Sequence, residues 1–333
     1  MMYDRWLKIP ALAAMAAIAL HFAACSQFAP GAPASPVITA SPGTHQSANA
    51  SPAQVDSRIQ LRGPFVPFGL CMSGMSAADQ VAYCQKIGYR GLGLATMDAA
   101  MIGDFAKLPD VVSGKFRIYS VLWWYTYNDP IDLTWLDGIL DDAKKMGMAL
   151  WPVADWNGGD HAQAVKTTVD NFKIIAKHCQ DKGVQMVLYP HVGCVFETAE
   201  QALEIQQELA KAGYPDVKIS IHLCHELKSN NQDRLAEIVK KVAPYLGLAS
   251  VSGANADTYN DGNPDYWSTA IMPLDEGSYD VGPFLKSLAD NGYAGPVELH
   301  TYALKDPSDA GYDQHLERSF AKYYQLVVPP GIP

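Results

Sequence analysis

Four histidines, His191, His222, His225 and His300, stand at or just past the C-terminal ends of three short β-like runs: VLYPH over 187–191, ISIHLCH over 219–225 and PVELH over 296–300. Imidazole changes charge near neutral pH, so one neutral ring can take a proton from a carbon beside a carbonyl while another donates to the oxygen. The same nitrogens can hold zinc or another borderline divalent metal, and His191, His222 and His300 form the candidate ligand set. Any one of these histidines could simply satisfy loop backbone groups; convergence of three strand ends is what argues for a shared site. The i, i+3 spacing of His222 and His225 matches a helical ligand pair, yet the run reads as a strand end, so the spacing alone says little.

Around them lie residues that could recognise a substrate. Asp155 closes the fourth β-like run in WPVADW (151–156), where it could bind a sugar hydroxyl or serve as a turn residue. Trp123, Trp124, Trp151, Trp156 and Trp267 offer flat faces of the kind that stack on sugar C–H groups, although core packing is the default for the seven Trp and 17 Tyr. Strand neighbours face opposite ways, so at most one of Trp123 and Trp124 points toward the histidines. Alternation pairs Tyr189 with His191, His222 with Ser220 and Cys224, and His300 with Glu298 on shared faces, and a buried Glu298 would be available to orient His300. Asn255 and Asp257 follow the seventh β-like run in VSGANAD (251–257) and open a long polar loop, which could shape a pocket or be a solvated surface loop.

The elements that must position these groups alternate. Apolar runs at 66–72, 91–96, 117–124, 149–155, 186–191, 218–223, 247–252 and 296–302 predict eight strands, and amphipathic stretches at 77–86, 133–146, 162–182, 199–212, 233–242 and 281–291 predict helices between them. Several helices end in Gly, as at Gly183, Gly213 and Gly292. Eight strand–helix units in about 270 residues describe a (β/α)8 TIM barrel, an α/β fold whose chemistry sits at the C-terminal ends of its strands. The competing open, doubly wound sheet lacks its Gly-rich phosphate loop after the first strand.

Composition changes near residue 62. Arg5 and Lys8 precede an apolar stretch over 9–24 that ends Phe22-Ala23-Ala24-Cys25, the pattern of a secretory signal and shorter than a membrane span. Cys25 after two alanines resembles a bacterial lipobox, with Phe22 in place of the usual Leu; ordinary cleavage to a soluble exported product is the alternative. Residues 26–61, rich in Pro, Ala and Ser, read as a flexible linker, and 62–333 as the barrel. Beyond Cys25, the odd set Cys71, Cys84, Cys179, Cys194 and Cys224 implies no disulfide framework, and those near strand ends are expected to pack as small apolar residues. A net charge of −10 without a basic stripe excludes a nucleic-acid partner.

Three segments, Ile87-Gly88-Tyr89-Arg90-Gly91, Pro190-His191 and PLDEGSYDVGPFLKSLADNGYAGPVEL (273–299), resemble the xylose-isomerase-like TIM barrels, the sugar phosphate isomerase/epimerase superfamily. The stretches YPH, LCHEL and VSGAN look like a divergent exported branch. The resemblance implies a divalent metal held by Glu, Asp, His and Glu on strands five to eight, but those positions carry Tyr189, His222, a residue near Ser252, and His300, so none of the four ligands is kept. His191 and His225 agree with histidines that often follow them, and the family's register implies that Tyr189, His222 and His300 point inward at the mouth with Glu298 one layer deeper. The expectation is an exported, lipid-anchored enzyme acting on a small-molecule carbohydrate by proton transfer next to a carbonyl, an isomerase or epimerase. Two alternatives stand beside it: a keto-glycoside lyase, which shares the first step, and a carbohydrate-binding lipoprotein without catalysis.

Overall fold

The computed structural model describes residues 57–263, 265, 267–304 and 312–329. The folded unit begins at Arg58, so residues 58–61 belong with the barrel; Ile59 bridges Val327 and Leu61 is buried. The signal and lipobox residues, and nearly all of the linker, lie outside the described residues.

Eight parallel strands alternate with helices. The strands are β1 (Phe65–Pro67), β2 (Gly91–Leu94), β3 (Arg117–Thr126), β4 (Ala149–Asp155), β5 (Val187–Leu188), β6 (Lys218–His222), β7 (Leu246–Val251) and β8 (Val297–Leu299). Two ladders, β1-β8-β7-β6-β5 and β2-β3-β4, are joined by parallel bridges at Phe68–Gly93 and Leu150–Met186, which closes the barrel. The helices are α1 (Ala77–Ile87), α2 (Ala99–Phe105), α3 (Pro109–Val112), α4 (Leu133–Met146), α5 (His161–Lys182), α6 (Ala199–Lys211), α7 (Leu223–Lys228), α8 (Leu235–Val242), α9 (Gly282–Asp290) and α10 (Tyr312–Leu326). Among the described residues, no helix is long and apolar enough to cross a membrane.

Side-chain oxygens satisfy the first backbone N–H groups of the long helices. Asp132 accepts from Trp135 N at the head of α4, Asp160 from Gln163 N at α5, and Thr198 from Gln201 N at α6. Gly147 and Gly183 end α4 and α5 in the left-handed conformation.

Four local expectations change. The run 66–72 is strand only to Pro67; Phe68 N makes one further bond to Leu299 O, and Gly69–Met72 then turns into a 3-10 helix. The fifth strand stops at Leu188, since Pro190 has no N–H to donate to a ladder. The short helices α2 and α3 link β2 to β3, and α7 begins directly after His222, so the His222–His225 spacing is helical after all.

Alternation along the strands divides the core into two. On β4, Leu150 and Ala154 pack outward with the helices, whereas Trp151 and Val153 point into the barrel with Phe68, Val187, Tyr189 and Leu248. Gly93 on β2 must lack a side chain: a Cβ there would lie 2.6 Å from Ser120 Oγ and 2.7 Å from Glu298 Oε1. The five cysteines from Cys71 onward form no disulfide among the described residues and are buried; Cys224 packs with Ala270 and Ile271.

Candidate functional site

Three imidazoles meet at the C-terminal end of the barrel. His222 ends β6, His225 lies on the first turn of α7, and His300 follows β8; one ring nitrogen from each lies within 4.8 Å of the other two. Strand and helix cooperate here. β6 aims His222 inward, and a single helical turn carries His225 onto the same side, with ring centroids 5.1 Å apart.

All three are buried, and burial disfavours their charged forms. Desolvation, then the neighbouring imidazoles, holds His222 and His225 well below the ordinary histidine range; burial with His191 nearby brings His300 down to about 3. At neutral pH these rings are uncharged and keep a lone pair each. His191, in the turn after β5, is half-buried and is lowered to about 4 by burial. Its ring lies 4.2 Å from that of His225, but its Nδ1 donates to Val192 O at 2.8 Å. The close trio therefore contains His225 where the sequence analysis placed His191.

Beneath the trio is an aromatic and hydroxyl layer. Tyr189 stacks on His222 with centroids 4.1 Å apart and on Trp151 at 4.3 Å, and its Oη stands 3.1 Å from His300 Nε2. Ser220 sits within 3.0 Å of three partners: Trp151 Nε1, Leu188 O and His222 Nε2. Trp151 is fully buried, so it forms the floor of the site rather than a sugar-stacking face. Glu298 lies deeper, as expected, but its described bond is with Ser120 across the barrel and not with His300; Ser120 Oγ donates to Oε1 at 2.8 Å. Burial pushes its carboxyl up to about 8, partly offset by that bond.

The rim is formed by other aromatic residues. Trp124 packs edge-on against His191 at 4.9 Å and bonds through its side chain to Asp155, whose carboxyl is half-buried and raised by desolvation. Trp123, its strand neighbour, points the other way and packs on Trp135 of α4, which removes it from the mouth. Trp267 lies 5.2 Å from His225 and 5.6 Å from His191. Asn255 is half-buried on the loop after β7, held through its backbone N–H to Thr269 O, and makes no ring or hydrogen-bond contact with the imidazoles. Cys194 has its Sγ 3.6 Å from His191 Nδ1, but burial holds the thiol well above its usual range and protonated. Ser220 was legible only by association, as a strand neighbour on the face of His222, whereas Trp124 is the one of the pair Trp123 and Trp124 that the structure turns to the rim.

The donor set fits a metal of particular character. His222 Nδ1 and both ring nitrogens of His225 are buried without hydrogen-bond partners. Imidazole suits zinc and its borderline neighbours, whereas the carboxylates that would favour a hard cation are engaged elsewhere: Glu298 with Ser120, and Glu226 with Ala199 N and Asn231 Nδ2.

Comparison with known proteins agrees with this architecture. The family profile described as the xylose isomerase-like TIM barrel matches residues 131–322. No curated protein matches the chain. Among solved structures, 3-keto-D-glucoside 4-epimerase from E. coli is similar at a TM-score of 0.58 and 14% identity, covering 80% of this chain and 100% of that one. The probable 3-DHS dehydratase from Bacillus anthracis is similar at 0.61 and 14%, covering 78% and 98%. D-allulose 3-epimerase from Methylomonas sp. is similar at 0.60 and 14%, covering 80% and 99%. At these identities the likeness is one of fold.

Proposed function

Since the chain belongs to the xylose isomerase-like TIM barrel family, we propose that it is a sugar isomerase or epimerase acting by proton transfer next to a carbonyl. One observation carries the reading: three buried, uncharged imidazoles converge at the end of the barrel where this fold places its chemistry.

A neutral imidazole offers both a lone pair and an N–H. One ring of the trio takes the proton from the carbon beside the carbonyl, and a neighbour donates to the carbonyl oxygen as negative charge develops there. Rings this strongly desolvated are weak bases in the resting site. The enolate reverses that, because an anion formed beside an imidazole favours its protonated form. Should the trio hold a divalent metal, His222, His225 and His300 would be its ligands, and it would polarise the substrate oxygen. Trp124 and Trp267 offer ring faces beside His191 on which a sugar could lie, and Asp155 could accept from its hydroxyls.

Elimination from a keto-glycoside begins with the same proton abstraction. The half-buried carboxyl of Asp155, raised by desolvation and placed at the rim beside Trp124, favours this second reading as a group that could assist the leaving oxygen. For location, the signal pattern of residues 1–25 supports export with a lipid anchor at Cys25.

The test is deuterium exchange. The full-length protein is incubated in D2O with aldoses, ketoses and 3-keto-glycosides, and label at the carbon beside the carbonyl is followed by NMR. Exchange that falls by about 100-fold or more in His222→Ala and His300→Ala is the expected result. Sugar binding retained in both variants, with no exchange in any protein, would establish a non-catalytic carbohydrate binder instead.

A further inference from the structure

We infer that Ser220 and Tyr189 are positioning residues that lock His222 and His300 as Nε2–H tautomers, so that His222 presents an open Nδ1 lone pair, His300 turns its Nδ1 to the Tyr302 N–H, and His225 is left as the N–H donor of the trio. The assignment rests on the proposed proton transfer for its purpose, but its geometry stands alone.

It follows from counting protons. Ser220 has one hydroxyl hydrogen and three polar neighbours. Trp151 Nε1 can only donate, at 2.9 Å, and Leu188 O can only accept, at 3.0 Å, so the single Ser220 proton goes to Leu188. What remains for His222 is a lone pair on Oγ, and Nε2 at 3.0 Å must therefore carry the hydrogen. Its Nδ1, buried and unpartnered, is left with a lone pair. His300 reaches the same state by a different route. Its Nδ1 faces the backbone N–H of Tyr302 at 3.4 Å, a donor only, so Nε2 carries the hydrogen and donates to Tyr189 Oη at 3.1 Å. The bond made by one nitrogen decides what the other can do.

The consequence is a division of labour. A lone pair can take a proton or hold a metal, but it cannot donate to a carbonyl oxygen. His222 is thereby the open acceptor, His300 shares its lone pair with the Tyr302 N–H, and His225, whose nitrogens have no hydrogen-bond partner, supplies the donor.

Nitrogen-15 NMR of the histidine-labelled full-length protein at pH 7, without substrate or added metal, tests this directly, with resonances assigned through His222→Gln and His300→Gln. The expected result is an Nε2–H pattern for both rings, conversion of His222 to mixed tautomers in Ser220→Ala with recovery in Ser220→Thr, and conversion of His300 in Tyr189→Phe. An Nδ1–H pattern for either ring in the unmodified protein would overturn the assignment whether or not the variants fold, and so would tautomers unmoved in both Ser220→Ala and Tyr189→Phe. Because no substrate is present, tautomers as expected in a protein that shows no deuterium exchange would sink the proposed reaction and leave this assignment intact.

Discussion

The ring of Tyr189 lies 6° from parallel with the imidazole of His222, centroids 4.1 Å apart, so one phenol supports one histidine by its face while bonding another, His300, by its hydroxyl. The two functions separate by mutation. Tyr189→Phe keeps the stack and should cost about 1–3 kcal/mol, the penalty for leaving a buried polar partner unpaired. Tyr189→Ala removes the ring and should cost about 3–5 kcal/mol. Urea denaturation of the pair checks this; equal losses would mean that the stack contributes nothing.

Trp123 and Trp124 should part in the same way. Trp123→Ala opens a cavity against Trp135 and is expected to destabilise by about 3–5 kcal/mol. Trp124→Ala should cost less stability but weaken sugar binding about 10-fold or more, by loss of a face at the rim. Calorimetric titration beside denaturation distinguishes the two, and the opposite pattern would place Trp123 at the mouth.

Glu298 makes stability depend on pH. Its carboxyl is raised to about 8 in the fold, against roughly 4.3 in an unfolded chain. Between those values the native state holds a proton that the unfolded state has released. Its contribution is therefore complete below about pH 4.3, declines by up to about 1.4 kcal/mol per pH unit as pH rises, and levels off above the folded value. Glu298→Gln removes this dependence, so the variant should gain on the unmodified protein steadily from pH 5 to pH 8 in urea melts. A constant difference would show the carboxylate to be charged in the fold.

Protein purified without chelator should carry a borderline divalent metal such as zinc at near-stoichiometric level, and His222→Ala, His225→Ala and His300→Ala should each lose it. His191→Ala should retain it, since His191 Nδ1 donates to Val192 O and that ring is not in the close trio. Elemental analysis reads all five proteins; metal that survives in the trio variants would place it elsewhere.

Mass spectrometry of the membrane fraction should find the mature N-terminus at a diacylglyceryl-modified Cys25. An unmodified N-terminus would leave an exported protein without the anchor.

Much of this site was legible because parallel strands impose a simple rule: residues at their C-terminal ends come together, however far apart in sequence. His222 and His300 follow from that rule, and the register of the resembling family placed Tyr189 and Glu298 inward. Alternation also says that Trp123 and Trp124 face opposite sides, but not which faces in; that depends on where α4 packs. The partner of Glu298 was hidden because Ser120 lies on β3, across the barrel and 178 positions away. His225 was undervalued because nothing local marks the helix of six residues that starts directly after His222.

The sequence by itself determined the eightfold strand–helix alternation, the family, and which strands end in histidine, because periodicity and motif are properties of neighbouring residues. Only the tertiary structure decided that His225 joins His222 and His300, that Ser220 and Tyr189 each commit one imidazole nitrogen, and that Glu298 turns to Ser120. Hydrogen bonds form over about 3 Å, and which donors and acceptors come that close across a closed barrel depends on the packing of all eight strands at once.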